Sequence, residues 1–289
     1  ISRGRLQALT EFGPQNTIYY DGQKYQVNYM KLPPGDEGLA LWEAKISKQS
    51  GYILMGKEAT LDTDPFSGAD LNKADNVEKI FHLLEFQDSR AALTQRISCE
   101  EEERMRKGYD EDIYFRSDHF ESRRRVTVYF KGEELLHLHY LPSAQLVKIN
   151  RKWRVSQAQA EGFAINTRTG KWLAEREVEE YRADPEKKNL FTRVKLYTTA
   201  TANALYIEPC EKLNLQPDGV LTLLHALKRA VEQHFQIEPR ELAAELMGEP
   251  EQPNIFIYES AEGSLGVLSQ IVGNAEAFRQ VAETAYRIC

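Results

Sequence analysis

The residues best suited to chemistry in this sequence are basic and aromatic side chains crowded into one central segment. Between positions 123 and 172, ten Lys or Arg stand against three Glu, a local balance of +7, although the whole chain carries −7. Cationic groups bind phosphates and rings stack on bases, so the segment predicts a nucleic-acid groove. The residues predicted to form it are Arg123, Arg124, Arg125, Lys148, Arg151, Lys152, Trp153, Arg154, Arg168, Lys171 and Trp172.

The same pattern has a second interpretation. Clusters of Lys and Arg are common on the solvated face of alternating strands, whose aromatic side chains then turn into the core. The rest of the chain carries −14, so an acidic total conceals the basic segment. The sequence alone leaves both interpretations open.

A strand, a glycine loop and a helix follow one another between positions 254 and 272. The loop residues singled out are Glu259, Gly263, Ser264 and Gly266. Glycines allow a tight turn, and amides at a following helix N-terminus can hold a phosphate. The loop lacks the Gly-Lys-Ser/Thr of a P-loop and the first glycine of a nucleophile elbow. It is therefore predicted to be either a structural connection or a phosphate-facing loop.

Metal and nucleophile patterns are weaker. His137 and His139 alternate on a predicted strand and share a face, but no third ligand has sensible spacing, which favours a structural role. Ser264 with His225 or His234 could form a nucleophile–base pair, for which no acidic orienter can be assigned. No Walker A loop, DEAD/DEAH box or dinucleotide fingerprint is present, so this chain alone should not hydrolyse ATP.

The composition describes a soluble globular chain of 289 residues, 42% hydrophobic and 28% charged. No stretch approaches the roughly 18 consecutive apolar residues of a membrane span, and no secretory leader opens the chain. The three scattered cysteines, Cys99, Cys210 and Cys289, form no disulfide framework, so we expect a cytoplasmic location. Because the chain starts at Ile1 and stops directly after a helical pattern, we expect it to be part of a longer protein.

The order of elements predicts an α+β fold, with a β-rich domain over residues 1–200 and a smaller α/β domain over 201–289. Short strands alternate with turn signals in the first part, beginning with a hairpin at Asp21-Gly22. A capping box predicts a short helix over 98–106. In the second part, apolar periodicity predicts helices over 219–235, 239–246, 265–271 and 275–288, with a strand over 254–258.

Five motifs in order carry a family resemblance. Residues 11–27 read Glu-Phe-Gly-Pro-Gln-Asn and end in Asp-Gly-Gln-Lys-Tyr-Gln-Val, and residues 102–109 read Glu-Glu-Arg-Met-Arg-Lys-Gly-Tyr. The others are the strand at 201–207, the helix and turn at 221–242, and Ile-Phe-Ile-Tyr-Glu-Ser-Ala-Glu-Gly-Ser-Leu-Gly-Val at 255–267. Together they resemble the accessory C-terminal region of superfamily 2 DEAD/DEAH-type helicases, which ends in the MrfA-type zinc-binding domain.

The resemblance implies a part that grips DNA or RNA, or docks on a helicase motor in the same polypeptide or in a partner chain. ATP would bind only to that motor. Such helicases act in DNA repair, and relatives act in anti-phage defence of the DISARM type. Cys289 stands where the first cysteine of the family's zinc cluster would be, so zinc is expected only if the cluster continues beyond it. The paired cysteines of a second family zinc are missing near residues 45–56, and Ser264 replaces a family glycine.

Three hypotheses follow from the sequence. The first is a nucleic-acid-binding accessory module of an ATP-dependent helicase or translocase. The second is a scaffold that binds only its protein motor. The third is a hydrolase with an unrecognised site in the α/β part, involving Ser264 or Glu259.

Overall fold

The computed structural model describes residues 1–32, 38–96, 108–117, 122–154, 161–261 and 263–288. The strands there are β1 (Thr17–Tyr20), β2 (Gln23–Met30), β3 (Leu41–Ser47), β4 (Ile53–Met55), β5 (Val77–Glu85), β6 (Ser89–Arg96), β7 (Tyr109–Arg116), β8 (Arg124–Phe130), β9 (Glu133–Trp153), β10 (Phe163–Asn166), β11 (Trp172–Leu173), β12 (Phe191–Pro209), β13 (Leu242–Glu249) and β14 (Gln252–Glu259). The helices are α1 (Arg5–Glu11), α2 (Glu175–Ala183), α3 (Pro217–Phe235), α4 (Val267–Gly273) and α5 (Ala275–Ile288), with 3-10 turns at Gly56–Thr60, Ala74–Asn76 and Glu211–Leu213.

Two long antiparallel strands, β9 and β12, form the spine of the main sheet. Their pairing runs from Asn150 opposite Leu196 to Leu136 opposite Pro209. In the sequence, Pro142 and Ser143 interrupt the apolar pattern of β9. The structure absorbs the interruption in a register shift between Ala202 and Ala204. There the backbone N–H of Ser143 donates to the side chain of Asn203 at 3.1 Å.

The remaining strands extend this spine. β7 pairs with the second half of β9 and β8 with the first half, so the two lie end to end along one edge of it. On β12, the parallel neighbour β5 leads on to β3 and β4, β14 leads to β13, and β10 leads to β11. A smaller sheet in the order β1-β2-β6 contains the predicted Asp21-Gly22 hairpin. It packs against the main sheet, since Val27 and Met30 of β2 share a buried cluster with Leu196 of β12.

The C-terminal helices cover the β8–β9–β12–β14 part of the sheet. Leu224, Leu227 and Val231 of α3 share a buried cluster with Leu205 and Ile255 of the strands, and apolar side chains of α4 and α5 join it. The chain is therefore an α+β, strand-rich fold, as predicted. None of the helices in the described ranges is long and apolar enough to cross a bilayer.

The predicted helix over 239–246 is wrong. Leu242 to Glu249 form the strand β13, which pairs with β14 from Leu242 opposite Glu259 to Glu249 opposite Gln252. Ladder hydrogen bonds to β14 outweigh the helical propensity of the Ala, Leu and Glu residues in this stretch. The sequence patterns do not predict α1 and α2, and the helix expected over 98–106 lies outside the described residues.

The domain boundary that the sequence places near residue 200 falls inside β12, which runs unbroken from Phe191 to Pro209. The first half of this strand pairs with β5 and β10, and its second half pairs with β14. The division into 1–200 and 201–289 stays a prediction, and these two segments share one strand.

Candidate functional site

The basic residues of the central segment do not share one face. Arg124 lies opposite Tyr140 at one part of β9, whereas Trp153 lies opposite Tyr109 at its far end. Trp153 lies thirteen positions after Tyr140, which corresponds to about 40 Å of extended strand. The segment thus forms two regions, which we call the β8 edge (Arg124, Arg125, Tyr129, Phe130 and Lys131) and the β9 terminus (Lys152, Trp153 and Arg154).

Arg151 is committed to an internal ion network. Its guanidinium donates to both carboxylate oxygens of Glu78 at 2.7 and 3.1 Å and to Asp112 at 2.5 Å. It also donates to the Tyr114 hydroxyl at 2.7 Å. Burial opposes its charge, but the hydrogen bonds to Glu78 and the neighbouring anionic groups outweigh burial and raise the pKa of Arg151. Because the Arg151 guanidinium already donates to Glu78, Asp112 and Tyr114, it has few hydrogen-bond donors left for a phosphate.

Lys148 and Lys171 are also used by the fold. The ammonium of Lys148 donates to Thr10 Oγ1 at 2.5 Å and lies 3.0 Å from Glu111. It thereby ties α1 to β7 and β9. Lys171 lies 2.5 Å from Glu177 of α2, and this contact raises the pKa of Lys171. These contacts fit the interpretation that part of the charge cluster serves the structure.

Arg123 anchors the start of β8. Its guanidinium lies 4.3 Å from the centroid of the Phe66 ring, and its Nε donates to His139 Nδ1 at 3.0 Å. The other ring nitrogen of His139 lies 2.9 Å from Glu208. Burial opposes ionisation of Glu208, but His139 outweighs it and lowers the pKa of Glu208. His139 is thus a buried structural residue, as the sequence favoured.

The two tryptophans of the predicted groove, Trp153 and Trp172, lie mainly in the interior. Trp172 is 3% exposed and packs with Leu9, Ile165 and other buried residues, so its ring presents no face to a base. Trp153 is half-buried and stacks on Tyr109 with ring centroids 4.3 Å apart. For Trp172 the structure corrects the stacking assignment: alternation along the strands turns this ring into the core, as the second interpretation has it.

The β8 edge combines two arginines of the predicted groove with exposed aromatic side chains that the prediction did not include. Arg124 and Arg125 are exposed, and Tyr129 and Phe130 are 58% and 60% exposed. Lys131 lies with its ammonium 5.2 Å from the centroid of the Phe130 ring. In the described residues β8 pairs only with β9, so its other edge is open. Adjacent aromatics before the Lys131-Gly132 turn are the sequence signal that could have identified it.

Three further basic residues of the prediction lie away from the β8 edge. Arg154 is exposed and donates to the Tyr109 carbonyl at 3.2 Å. Lys152 is half-buried on β9, and Arg168 is exposed beside the turn between β10 and β11. Arg154 therefore remains accessible to a ligand at the far end of β9, and Arg168 remains accessible at the turn between β10 and β11.

The glycine loop is organised by Glu259, which is 2% exposed. One of its carboxylate oxygens accepts from Ser264 Oγ at 2.8 Å, from the Gly266 amide at 3.1 Å and from Asn203 at 3.3 Å. The other accepts from the Leu268 amide at 3.1 Å. The carboxylate therefore occupies the position at the N-terminus of α4 where a bound phosphate would sit. This geometry makes the loop structural and argues against the phosphate-facing alternative.

The same contacts bear on the hydrolase hypothesis. Within the described residues, Ser264 Oγ hydrogen-bonds to Asn203, at 2.5 Å, and to Glu259. Neither His225 nor His234 on α3 is among its partners. A serine nucleophile needs a base within hydrogen-bond reach, and the structure places a carboxylate that already accepts four hydrogen bonds there instead.

Comparison with known proteins assigns the C-terminal part. Residues 223–289 match the family model described as the MrfA Zn-binding domain. This stretch contains α3, β13, β14, the glycine loop, α4 and α5. We call residues 223–289, which are similar to this family, the MrfA-type domain. The sequence-based recognition of this domain is confirmed.

Solved structures give weaker likenesses. A crystal structure of the DUF1998 helicase MrfA bound to DNA is 12% identical, with a TM-score of 0.39 over 96% of this chain and 26% of that chain. A structure of the same helicase bound to DNA and AMPPNP is 11% identical, with a TM-score of 0.30 over 99% and 25%. This chain thus spans about a quarter of those helicase chains. No curated protein matches the sequence.

The family name implies zinc, and the C-terminal helices can be tested for ligands. Zinc in proteins is held mainly by Cys, His and carboxylate side chains. Residues 263–288 contain neither Cys nor His, and the Glu259 carboxylate is filled by four donors. Cys289, the one ligand predicted from the sequence, lies outside the described residues. The two carboxylates of α5, Glu276 and Glu283, both pair with Arg279. Residues 263–288 by themselves therefore supply no zinc ligand set, and a zinc site at the end of α5 would depend on Cys289.

Substitution separates structural from accessible cations. Arg151→Ala leaves Glu78, Asp112 and Tyr114 without their donor, so we expect the free energy of unfolding to fall by about 1–3 kcal/mol. Arg168→Ala, at an exposed position, should change it by less than about 0.5 kcal/mol. Urea unfolding followed by circular dichroism measures both. Equal effects of the two substitutions would contradict the structural role of Arg151.

Substitution of the buried carboxylate tests the glycine loop. Glu259→Gln keeps the shape but replaces one acceptor with a donor that faces amide or hydroxyl donors. We expect the free energy of unfolding to fall by about 1–3 kcal/mol. The control Glu180→Gln, on the exposed face of α2, should have almost no effect. A phosphate-facing loop would give the opposite pattern, with unchanged stability and tighter phosphate binding by Glu259→Gln.

Proposed function

We propose that this chain is the accessory region of an ATP-dependent DNA helicase or translocase, and that it holds nucleic acid while a motor outside these residues hydrolyses ATP. The MrfA-type domain at 223–289 supports the helicase setting. The sequence contributes no motor motif of its own. The observation that carries the binding role is the β8 edge, where exposed arginines and aromatic rings lie on one open strand.

The chemistry of the β8 edge suits a flexible strand of nucleic acid. Arg124 and Arg125 are neighbours on an extended strand, so their side chains leave opposite sides of the sheet and can reach successive phosphates. Tyr129 and Phe130 provide exposed ring faces on which bases can stack. Because Arg123 is fixed by Phe66 and His139, the strand that presents these groups starts from a rigid point.

The β8 edge adjoins the MrfA-type domain. A Cβ placed on Gly273, at the end of α4, would lie 3.7 Å from the Arg124 guanidinium. The Arg124 guanidinium itself lies 5.5 Å from the Tyr140 ring centroid. The proposed binding edge and the family domain are thus one continuous surface. Two further accessible arginines, Arg154 at the far end of β9 and Arg168 at the turn between β10 and β11, extend the proposal beyond the β8 edge.

The setting of this activity is taken from the family resemblance. From this resemblance we propose that the ligand is DNA rather than RNA and that the process is DNA repair or anti-phage defence in the cytoplasm. The motor would be carried in the same polypeptide or in a partner chain. A zinc ion bound through Cys289 belongs to the same proposal.

A protein-only scaffold is the second candidate. An unpaired strand edge with exposed apolar rings can also add a strand from another protein. Val126, Tyr129 and Phe130 would then pack against the motor rather than against bases. The two candidates differ in salt dependence, because only phosphate contacts release counterions.

Charge reversal at the β8 edge tests the proposal. We expect the Arg124→Glu/Arg125→Glu variant to bind single-stranded and duplex DNA at least about tenfold more weakly. The slope of log K against log salt should fall by about two for duplex DNA, since two phosphate contacts are lost. Fluorescence anisotropy across a salt series measures both quantities.

The matched control reverses two arginines elsewhere. Arg176 and Arg240 have side chains 90% and 86% exposed, and Arg176→Glu/Arg240→Glu makes the same change in net charge. It should leave DNA affinity within about twofold of the parent chain. Binding that ignores salt, or equal losses in both variants, contradicts the proposed edge. Intact binding of the motor without any DNA affinity would favour the scaffold.

A further inference from the structure

Three side chains of metal-ligand type meet where β12 ends and β9 begins. Ligand atoms of Glu134, His137 and Cys210 all lie within 4.8 Å of one another. Cys210 follows the last residue of β12, and its backbone N–H donates to the Leu135 carbonyl at 2.8 Å. The β9–β12 register sets Glu208 opposite His137. The thiol is therefore held beside the imidazole by backbone pairing between residues 73 positions apart in the sequence.

A β-bulge brings Glu134 and His137 to the same face. Residues three apart on a regular strand point to opposite faces. Here Val128 pairs with Leu136 and Tyr129 pairs with Glu134, so Leu135 is the extra residue of β9. Leu135 and Leu136 both pack into the apolar core. The bulge thus resets the alternation, and Glu134 turns to the side of His137.

Neighbouring side chains orient two of the three ligands. Thr127 Oγ1 lies 3.2 Å from His137 Nδ1, which leaves the Nε2 of that ring facing Glu134. The Tyr129 hydroxyl donates to Glu134 Oε1 at 2.9 Å, which leaves Oε2 free. These two free atoms lie 3.8 Å apart. Support of this kind, in which the second nitrogen of a ligating histidine is held by a neighbour, is typical of metal sites.

The ligand set and spacing favour a zinc-class ion. Thiolate, imidazole and carboxylate are zinc ligands, whereas calcium and magnesium prefer oxygen alone. With zinc–ligand distances of about 2.0–2.3 Å, the ligand atoms of a tetrahedral site lie about 3.3–3.8 Å apart. The charged groups acting on the Cys210 thiol are Glu134, Glu208 and Arg125. With two carboxylates and one guanidinium nearby, the net charge around the Cys210 thiol is negative, which favours binding of a divalent cation.

We propose that Glu134, His137 and Cys210 bind one zinc-class divalent cation, with a fourth position open to water. The site lies at the start of β9 and just after the end of β12, outside residues 223–289, and is therefore distinct from any zinc bound through Cys289. The sequence pattern around His137 offers no third ligand, because Cys210 lies 73 positions further along the chain. In this site the ion links the start of β9 to the end of β12, directly beside the β8 edge.

Cobalt(II) titration of the full chain tests the site, because a thiolate ligand gives cobalt a charge-transfer absorption band. The parent chain should develop this band and lose it when zinc is added. Part of the band should remain in the Cys289→Ser and Cys99→Ser variants. Cys210→Ser should abolish that part. His137→Ala and Glu134→Gln should weaken zinc binding there by more than the roughly 10–100-fold that loss of an orienting neighbour costs.

A milder variant guards against misfolding. Thr127→Val keeps all three ligands and removes only the hydroxyl beside His137, so the band should remain while affinity falls about 10-fold or more. Circular dichroism of each variant confirms the fold. Absence of any band in the parent chain overturns the proposal. So does a band that survives Cys210→Ser and disappears with Cys289→Ser, which would place the metal at the C-terminus.

Discussion

The pairing of β9 with β12 is the constraint on which the rest of the structure depends. It keeps residues 133–153 and 191–209 as two unbroken strands, and every other strand of the main sheet attaches to them directly or through a neighbour. Its single register shift brings Asn203 to Ser143 on one side and to Glu259 on the other. The bend in the spine and the cap of α4 are therefore tied through one amide side chain.

This spine also decides what the basic residues can do. Because Trp153 lies thirteen positions after Tyr140 on β9, the arginines paired beside Tyr140 and the cations near Trp153 are held far apart. Near the far end, carboxylates from β5 and β7 neutralise Arg151, and Glu111 meets Lys148. A local excess of +7 in sequence thus becomes an internal ion network plus a few accessible arginines. Charge that a ligand can use survives at the β8 edge and at Arg154 and Arg168.

Local signals in the sequence were sufficient for some features. The Asp21-Gly22 hairpin, the amphipathic helix α3 and the strand–loop–helix order of 254–272 depend on nearby residues and were predicted correctly. Features that depend on pairing with residues distant in the sequence could not be predicted from these local signals. Leu242 to Glu249 became a strand only because β14 lies beside it, and Glu78 and Asp112 reach Arg151 from other strands. Glu259 was singled out, but its role required knowing which amides surround it.

Hydrogen–deuterium exchange with and without a DNA oligonucleotide tests the central claim, that the open edge of β8 is where nucleic acid is held. The account predicts that DNA slows hydrogen exchange of the backbone amides within residues 124–130. Exchange within residues 263–268 should stay unchanged, because the Gly266 and Leu268 amides already donate to the Glu259 carboxylate. Protection confined to the glycine loop, with β8 unaffected, would contradict it.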